Sequence, residues 1–405
     1  MNSKASAQSL LNGIRILDLA DEKASFCTKL LADLGARVVK IEKPGGDESR
    51  RMGPFWENAS HLKKSLSFFY NNTNKLGITL DLDRSRGREI FLELVKRNDI
   101  IVETFQPGYL SRLKLDFDFL KTVNRRLILV SVTGFGQMGP RKAYKSCDLV
   151  ASAYGGQMYV TGSPASPPLK AYGEQSYYLA SLFAAIGILL AIQKRSQTGV
   201  GEHVDISLQE AVTATLEHVM IRFFSETIIA GRQGSLHWNH AFKIFACQDG
   251  FIHLTLFQNW ETLVEWLDSE GMAEDLNEKK WINEEYRRQH IEHVIAVVER
   301  WTKTHRVEEL FELGQLMHFP WAPVLSPKDV LNSVQLNARR FFVPLHHREN
   351  DTDFSYPQLP FRFSSKFISR KKSAPLPGQD NATIYKGELG FSNREIQQLL
   401  HLNVI

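Results

Sequence analysis

Residues 14–42 read IRILDLADEKASFCTKLLADLGARVVKIE, and the order of periodicities in this stretch decides the fold class. Residues 14–19 form a short apolar run of strand length. Residues 24–34 follow, with Phe26, Leu30, Leu31 and Leu34 at helical spacing. Gly35 ends that helix, and RVVKIE over residues 37–42 is the next strand. The pattern repeats downstream. Residues 86–96 read as a helix and 100–102 as a third strand. Residues 117–123 read as a helix and 127–132 as a fourth strand. Alternating strand and helix predicts an α/β fold, a mostly parallel, doubly wound sheet with helices on both faces.

The remaining segments extend this frame. A helix is expected near residues 148–154. A long apolar helix follows a Ser/Pro-rich loop and leads through a turn into another strand, HVDIS. From about Phe224 the segments are rich in Trp, Glu and Lys and read as amphipathic helices of a smaller domain. The Pro-rich part from Pro357 is expected to rejoin the first. The expected division is residues 1–220, 221–330 and 331–405.

Composition narrows the function. The 405 residues carry a net charge of +4, from 49 basic and 45 acidic side chains. That balance, without blocks of like charge, argues against a nucleic-acid partner. Cys27, Cys147 and Cys247 lie far apart and form no CxxC, against a disulfide framework or a Cys-rich zinc site. The first residues lack the features of a signal peptide. The apolar run over residues 177–192 is shorter than the roughly 20 residues that cross a bilayer. A cytoplasmic protein with a buried core helix and no membrane partner is expected.

Several common chemistries are missing from the motifs. The loop after the first strand, LADEKASF, has no GxGxxG, and GFGQMGP is not followed by GK[ST]. His237 and His240 form an HxxH without further ligands, so no metal is expected. No GxSxG elbow is present.

The chain resembles the family III CoA-transferases, the CaiB/BaiF, formyl-CoA transferase-like group. The segments that carry the resemblance are LNGIRILDL, residues 30–50, residues 74–115, LILVSVTGFGQMGP, CDLVASAYGGQMYVTGSPASPP and IGILLAIQKRSQTGVGEHVDISLQEAV, in that order. The resemblance implies a Rossmann-like large domain, a small α+β domain and two subunits interlocked as a dimer. It implies coenzyme A, as acyl-CoA, for a substrate. CoA requires cations for its phosphates and close approach along its pantetheine arm. The positions that match the family's CoA contacts are Glu22, Lys23 and Ala24 after the first strand, Lys43 after the second, then Lys75, Arg112 and Lys145.

The sequence departs from the family where the chemistry is done. The family nucleophile is an aspartate just upstream of the apolar helix, which carries CoA as an aspartyl thioester. Counting back from LFAAIGILLAI puts Tyr177 at that position. A phenol has no carboxyl carbon and cannot form an acyl-CoA thioester. Glu174 is the nearest carboxylate, more plausibly a helix N-terminal charge than a nucleophile. The family's mobile glycine loop is replaced by GRQGSLHWNHA, and Cys147 stands where racemases of related fold carry a proton-shuttling histidine. The expected function is therefore a CoA-transferase subunit without its own nucleophile, paired with an Asp-bearing paralogous subunit. The alternatives are a complete homodimeric enzyme using Glu174, and a CoA-binding protein without activity.

Overall fold

The computed structural model describes residues 9–58, 64–237, 242–347, 351–364 and 372–405. The chain divides into two compact units. One comprises Met1–Met158, Lys170–Ile229 and Arg340–Ile405, the other Tyr159–Leu169 and Ala230–Arg339.

The first unit runs β1 (Arg15–Leu19), α1 (Ser25–Asp33), β2 (Arg37–Glu42), α2 (Leu66–Asn71), β3 (Leu76–Thr79), α3 (Ser85–Val95) and β4 (Ile100–Glu103). It continues with α4 (Tyr109–Arg112), α5 (Phe117–Val123), β5 (Ile128–Thr133), α6 (Asp148–Tyr154), α7 (Gln157–Val160), α8 (Gln175–Thr198), β6 (His203–Ser207), α9 (Leu208–Thr213) and α10 (Glu217–Glu226). Strands β1 to β6 form one sheet in the order β3-β2-β1-β4-β5-β6, and every neighbouring pair is parallel. This is the expected α/β sheet with one strand more. LGIT, four residues with a glycine among them, has no strand pattern of its own, so the expected third strand is β4.

Strand alternation sorts the core onto two faces. Ile16, Val38, Ile100, Val102, Ile128, Val130 and Val132 pack with Cys27 and Leu31 of α1 and with Ala180, Ala184 and Ile188 of α8. Leu17, Val39, Ile41, Ile78, Ile101 and Leu129 face the other way, against Ile90, Phe91 and Leu94 of α3 and Ile384, Tyr385 and Leu399 of the C-terminal segment. That segment also covers the open edge of β3. The Gly77 and Thr79 N–H groups donate to Asp380 Oδ2 (2.8 Å) and Asn381 Oδ1 (3.0 Å), so the edge offers no free template. Gly77 has no room for a side chain: a Cβ there would stand 2.7 Å from Pro375 Cβ.

Helix α8 is longer than its apolar run. Its 24 residues satisfy the length and composition of a membrane span. One face nevertheless lies in the sheet core through Tyr177, Ala180, Ala184, Ile188 and Ala191. The opposite face leaves Leu182, Phe183, Ile186, Leu189 and Leu190 exposed.

The second unit holds an antiparallel sheet of β7 (Leu236–His237), β8 (Phe242–Ala246), β9 (Phe251–Thr255) and β10 (Ala322–Pro323), ordered β10-β9-β8-β7. Its helices include Trp260–Ser269, Ile291–Thr302 and Val307–Leu316. Trp266, Trp301 and Trp321 pack at its centre. It is an α+β unit.

At the carboxyl end of β1 lies a buried ion pair. Lys75 Nζ contacts Asp18 Oδ2 at 2.8 Å, with both side chains fully buried. The same ammonium donates to the Ser25 carbonyl (3.0 Å) and Asn72 Oδ1 (2.8 Å). Thr28 Oγ1 donates to Asp18 Oδ2 at 2.8 Å. All three Lys75 donors are thus engaged within the framework, so Lys75 is not a surface cation open to a phosphate. The ammonium expected among the CoA contacts is thus found inside the framework. Burial lowers its ammonium to about 8, against the attraction of Asp18. Lys75→Met strands Asp18 as an unpaired buried carboxylate. We expect a loss of about 3–5 kcal/mol, read as a lower urea midpoint at unchanged slope. A variant that keeps the wild-type midpoint and loses only CoA binding would restore the phosphate role.

Candidate active site

The carboxyl ends of β1, β2 and β4, with the turn after β3, converge where an open parallel sheet binds its ligands. The turn after β1 is fixed by the Asp21 N–H, which donates to Thr104 Oγ1 beyond β4 (2.9 Å). Within it, Lys23 pairs with Asp21 and lies 4.0 Å from Glu22 Oε1. Burial raises the Glu22 carboxyl, and the Asp21 charge adds to this. Burial works to lower the Lys23 ammonium, but Asp21 and Glu22 outweigh it and the net shift is upward. Ala24 is fully buried at the start of α1. This segment can line a ligand with its backbone, while its one cation is already paired.

Two of the expected cations meet around a residue that sequence reasoning missed. Lys43, just after β2, reaches Asp83 Oδ2 at 2.7 Å. Arg112, at the end of α4, comes within 3.8 Å of Asp83 Oδ1, and its guanidinium lies 5.1 Å from the Tyr109 ring centre. The Tyr109 hydroxyl donates to Asp83 Oδ1 at 3.0 Å. The Lys43 hydrogen bond lowers the Asp83 carboxyl, and the same bond raises Lys43. The Lys43 and Arg112 side chains are 59% and 68% exposed, so a phosphate can reach both, in competition with Asp83. The turn carrying Asp83 sits close to α3 because Gly87 has no side chain; a Cβ there would lie 1.8 Å from the Asp81 carbonyl oxygen. The only sequence signal for Asp83 was its place in LDLD, after an unrecognised strand. Lys145 is exposed on the segment between β5 and α6, outside this cluster.

Tyr177 lies in the first turn of α8 and is 5% exposed. Its hydroxyl accepts from the N–H of Asp148, the first residue of α6, at 3.0 Å. Asp148 returns the contact. Its Oδ1 accepts from the N–H (2.9 Å) and Oγ (2.6 Å) of Ser176, and its Oδ2 lies 2.7 Å from Lys170 Nζ. The amino ends of α6 and α8 therefore satisfy each other's unpaired N–H groups. Burial pushes the Tyr177 phenol well up, with the Glu22 charge adding to it, so the residue is a neutral hydrogen-bonding group at any working pH. Glu174 stands at the N-cap of α8 without bonding the helix through its side chain. Burial raises its carboxyl, and Asp148 adds to this. Asp148, Ser176 and Lys170 were not singled out from the sequence. Trp238 and His240 lie outside the described residues, and among those described no group of His, Cys, Asp and Glu could hold a metal.

Residues 11–381 match the model of CoA-transferase family III. The chain belongs to this family. It is 32% identical to the succinyl-CoA:(R)-benzylsuccinate CoA-transferase subunit BbsE of Thauera aromatica, over 96% of this chain and 97% of that one. It is 31% identical to the formyl-CoA:oxalate CoA-transferase of Streptomyces avermitilis, over 98% and 99%. A crystal structure of a CaiB/BaiF family protein from Brucella suis superposes with a TM-score of 0.84 at 26% identity. That match covers 93% of this chain and 98% of the other.

Two measurements probe the site. Asp83→Asn removes the competitor for Lys43 and Arg112 and is expected to tighten CoA several-fold at low salt. Arg112→Ala is expected to weaken it by about tenfold or more. Calorimetry with CoA reads both, and unchanged affinities would remove this cluster from the site. Tyr177→Phe leaves the buried Asp148 N–H without an acceptor. It should cost about 1–3 kcal/mol of stability by urea denaturation; an unchanged midpoint would refute the capping role.

Proposed function

We propose that this chain is the supporting subunit of a heteromeric family III CoA-transferase. The enzyme would move CoA from an acyl-CoA such as succinyl-CoA to a carboxylic acid, with the nucleophilic aspartate on a paralogous subunit. The observation that carries this reading is Tyr177. At the position matched to the family aspartate stands a buried phenol without a carboxyl carbon, already committed to capping α6. A carboxylate that attacks a thioester must be ionised and placed at the carbonyl carbon. Glu174 supports a self-sufficient enzyme poorly: it stands at the N-cap of α8, three residues before the matched position.

Two further observations support a second, related chain. The exposed apolar face of α8 continues the theme of α10, where Met220, Ile221, Phe223 and Phe224 are also exposed. Exposed apolar helix faces of this kind mark protein interfaces. Among the relatives, BbsE is named as a subunit, and a succinyl-CoA–L-malate CoA-transferase of Chloroflexus aurantiacus, 29% identical, is named as a beta subunit. On this reading the chain contributes Lys43, Arg112 and the 21–24 turn toward CoA, and a braced helix pair at the thioester position. Lys145 belongs to the same proposal as an outlying phosphate contact.

The test is chemical trapping. The purified chain is incubated with succinyl-CoA, treated with hydroxylamine or borohydride, and mapped by mass spectrometry. We expect no adduct on this chain alone, and an adduct on the partner's aspartate after co-expression. A CoA thioester on Glu174, with turnover lost in Glu174→Gln, would instead establish the homodimeric enzyme.

A further inference from the structure

The amino end of the sheet gathers arginines that the candidate active site does not use. Arg15 opens β1, Arg37 opens β2, and Arg97 stands three residues before β4. The register sets Arg15 directly beside Arg37. Strand alternation turns both toward the face of Leu17 and Val39, where the C-terminal segment packs. Like charges side by side on neighbouring strands repel. One residue of the C-terminal segment answers all three. Glu388 pairs with Arg15 through Oε2 and with Arg37 through Oε1, and its carbonyl oxygen accepts from Arg97 Nη1 at 2.5 Å.

A single carboxylate leaves this cluster with excess positive charge. The other acids nearby are matched elsewhere. Asp99 takes the Arg15 main-chain N–H (2.9 Å) and lies 3.0 Å from Arg195 Nη1. Asp380 accepts the Gly77 N–H and lies 3.5 Å from Lys372 Nζ. Each of the three guanidiniums spends one nitrogen on Glu388, and among the described residues no other hydrogen bond reaches them. Arg15 Nε is buried and has no acceptor among those residues. A buried donor left unpaired is costly, and such groups point to an acceptor that completes them. Burial lowers the Arg37 guanidinium against the attraction of Glu388, and the Arg15 charge adds to the lowering. The cluster is open to solvent: the Arg15 and Arg37 side chains are 35% and 30% exposed, and Arg97 is exposed.

We propose that this cluster binds a phosphate group, free or as a monoester, at the end of the strands opposite the candidate active site. A guanidinium fork matches two phosphate oxygens at once, and a tetrahedral dianion offers acceptors to three forks. The phosphate offsets the excess charge and gives Arg15 Nε its acceptor. Glu388 is its competitor for Arg15 and Arg37. The three arginines meet only when β1, β2 and the approach to β4 are assembled, so the ligand binds the folded chain and stabilises it by mass action.

The experiment is calorimetric titration of the full chain with sodium phosphate at constant ionic strength, with methyl phosphate and sodium acetate as separate probes. Saturable phosphate binding is expected, at least about tenfold tighter than acetate, with a melting temperature that rises with phosphate. Methyl phosphate binding as well as phosphate assigns the site to phosphate monoesters; phosphate binding alone assigns it to the free ion. Arg97→Ala removes an exposed side chain, and Arg37→Lys keeps the charge but loses the fork. Each should weaken phosphate about tenfold. Glu388→Gln should tighten it several-fold. Arg112→Ala, at the other edge of the sheet, should retain this site at wild-type affinity. No saturable binding, equal binding of acetate, wild-type affinity in Arg97→Ala or Arg37→Lys, or loss of binding in Arg112→Ala would overturn the proposal.

Discussion

The ion pair between Asp18 and Lys75 sets the frame for everything at the carboxyl edge of the sheet. Without access to water, it joins the end of β1, the first turn of α1, the end of α2 and the residue before β3 at one point. Its Coulomb attraction acts in a medium of low effective dielectric, and the remaining lone pairs and protons are satisfied by Thr28, Ser25 and Asn72. The turn leaving β1 therefore has little freedom. Its next residues, Asp21 to Ala24, meet Thr104 on one side and α8 on the other, where Ser181 Oγ donates to the Lys23 carbonyl at 3.4 Å.

From that fixed turn two dissimilar regions extend along the edge. One is wet and charged, with Lys43, Arg112 and Tyr109 gathered around Asp83. The other is dry and nearly neutral in function, with Tyr177, Asp148 and Ser176 spending their hydrogen bonds on each other. The first has exposed cations in position to meet a phosphate. The second holds a shape. The wet region is open to an anionic ligand, and the dry one is committed to holding two helix ends together.

Much of the fold was legible because it rests on local periodicity. Residues 15–19, 25–33, 37–42 and 128–133 take the structures their patterns dictate. β3 was not legible, for two reasons. It has four residues with a glycine among them, and it is stabilised from outside by Asp380 and Asn381, some three hundred positions away. The same limit governed the site. Lys75 carries the same charge as Lys43, and nothing near it in sequence says that one is buried and the other exposed. Asp83 and Asp148 act through partners brought in by tertiary packing, so their roles have no local signature. Tyr177 could be found only by counting from the apolar helix, and its hydrogen bond to α6 only from the fold.

The reciprocal capping of α6 and α8 also bears on the evolutionary history open to this chain. Tyr177 is a structural residue. It braces two helices in a neighbourhood that already holds Glu22, Asp148 and Glu174, so a carboxylate substituted there would crowd a fourth negative charge into a desolvated corner. A carboxylate at 177 would lose this packing and gain repulsion. The tyrosine thus behaves as a ratchet: while it braces two helices, a carboxylate at 177 can be reached only through compensating changes around it.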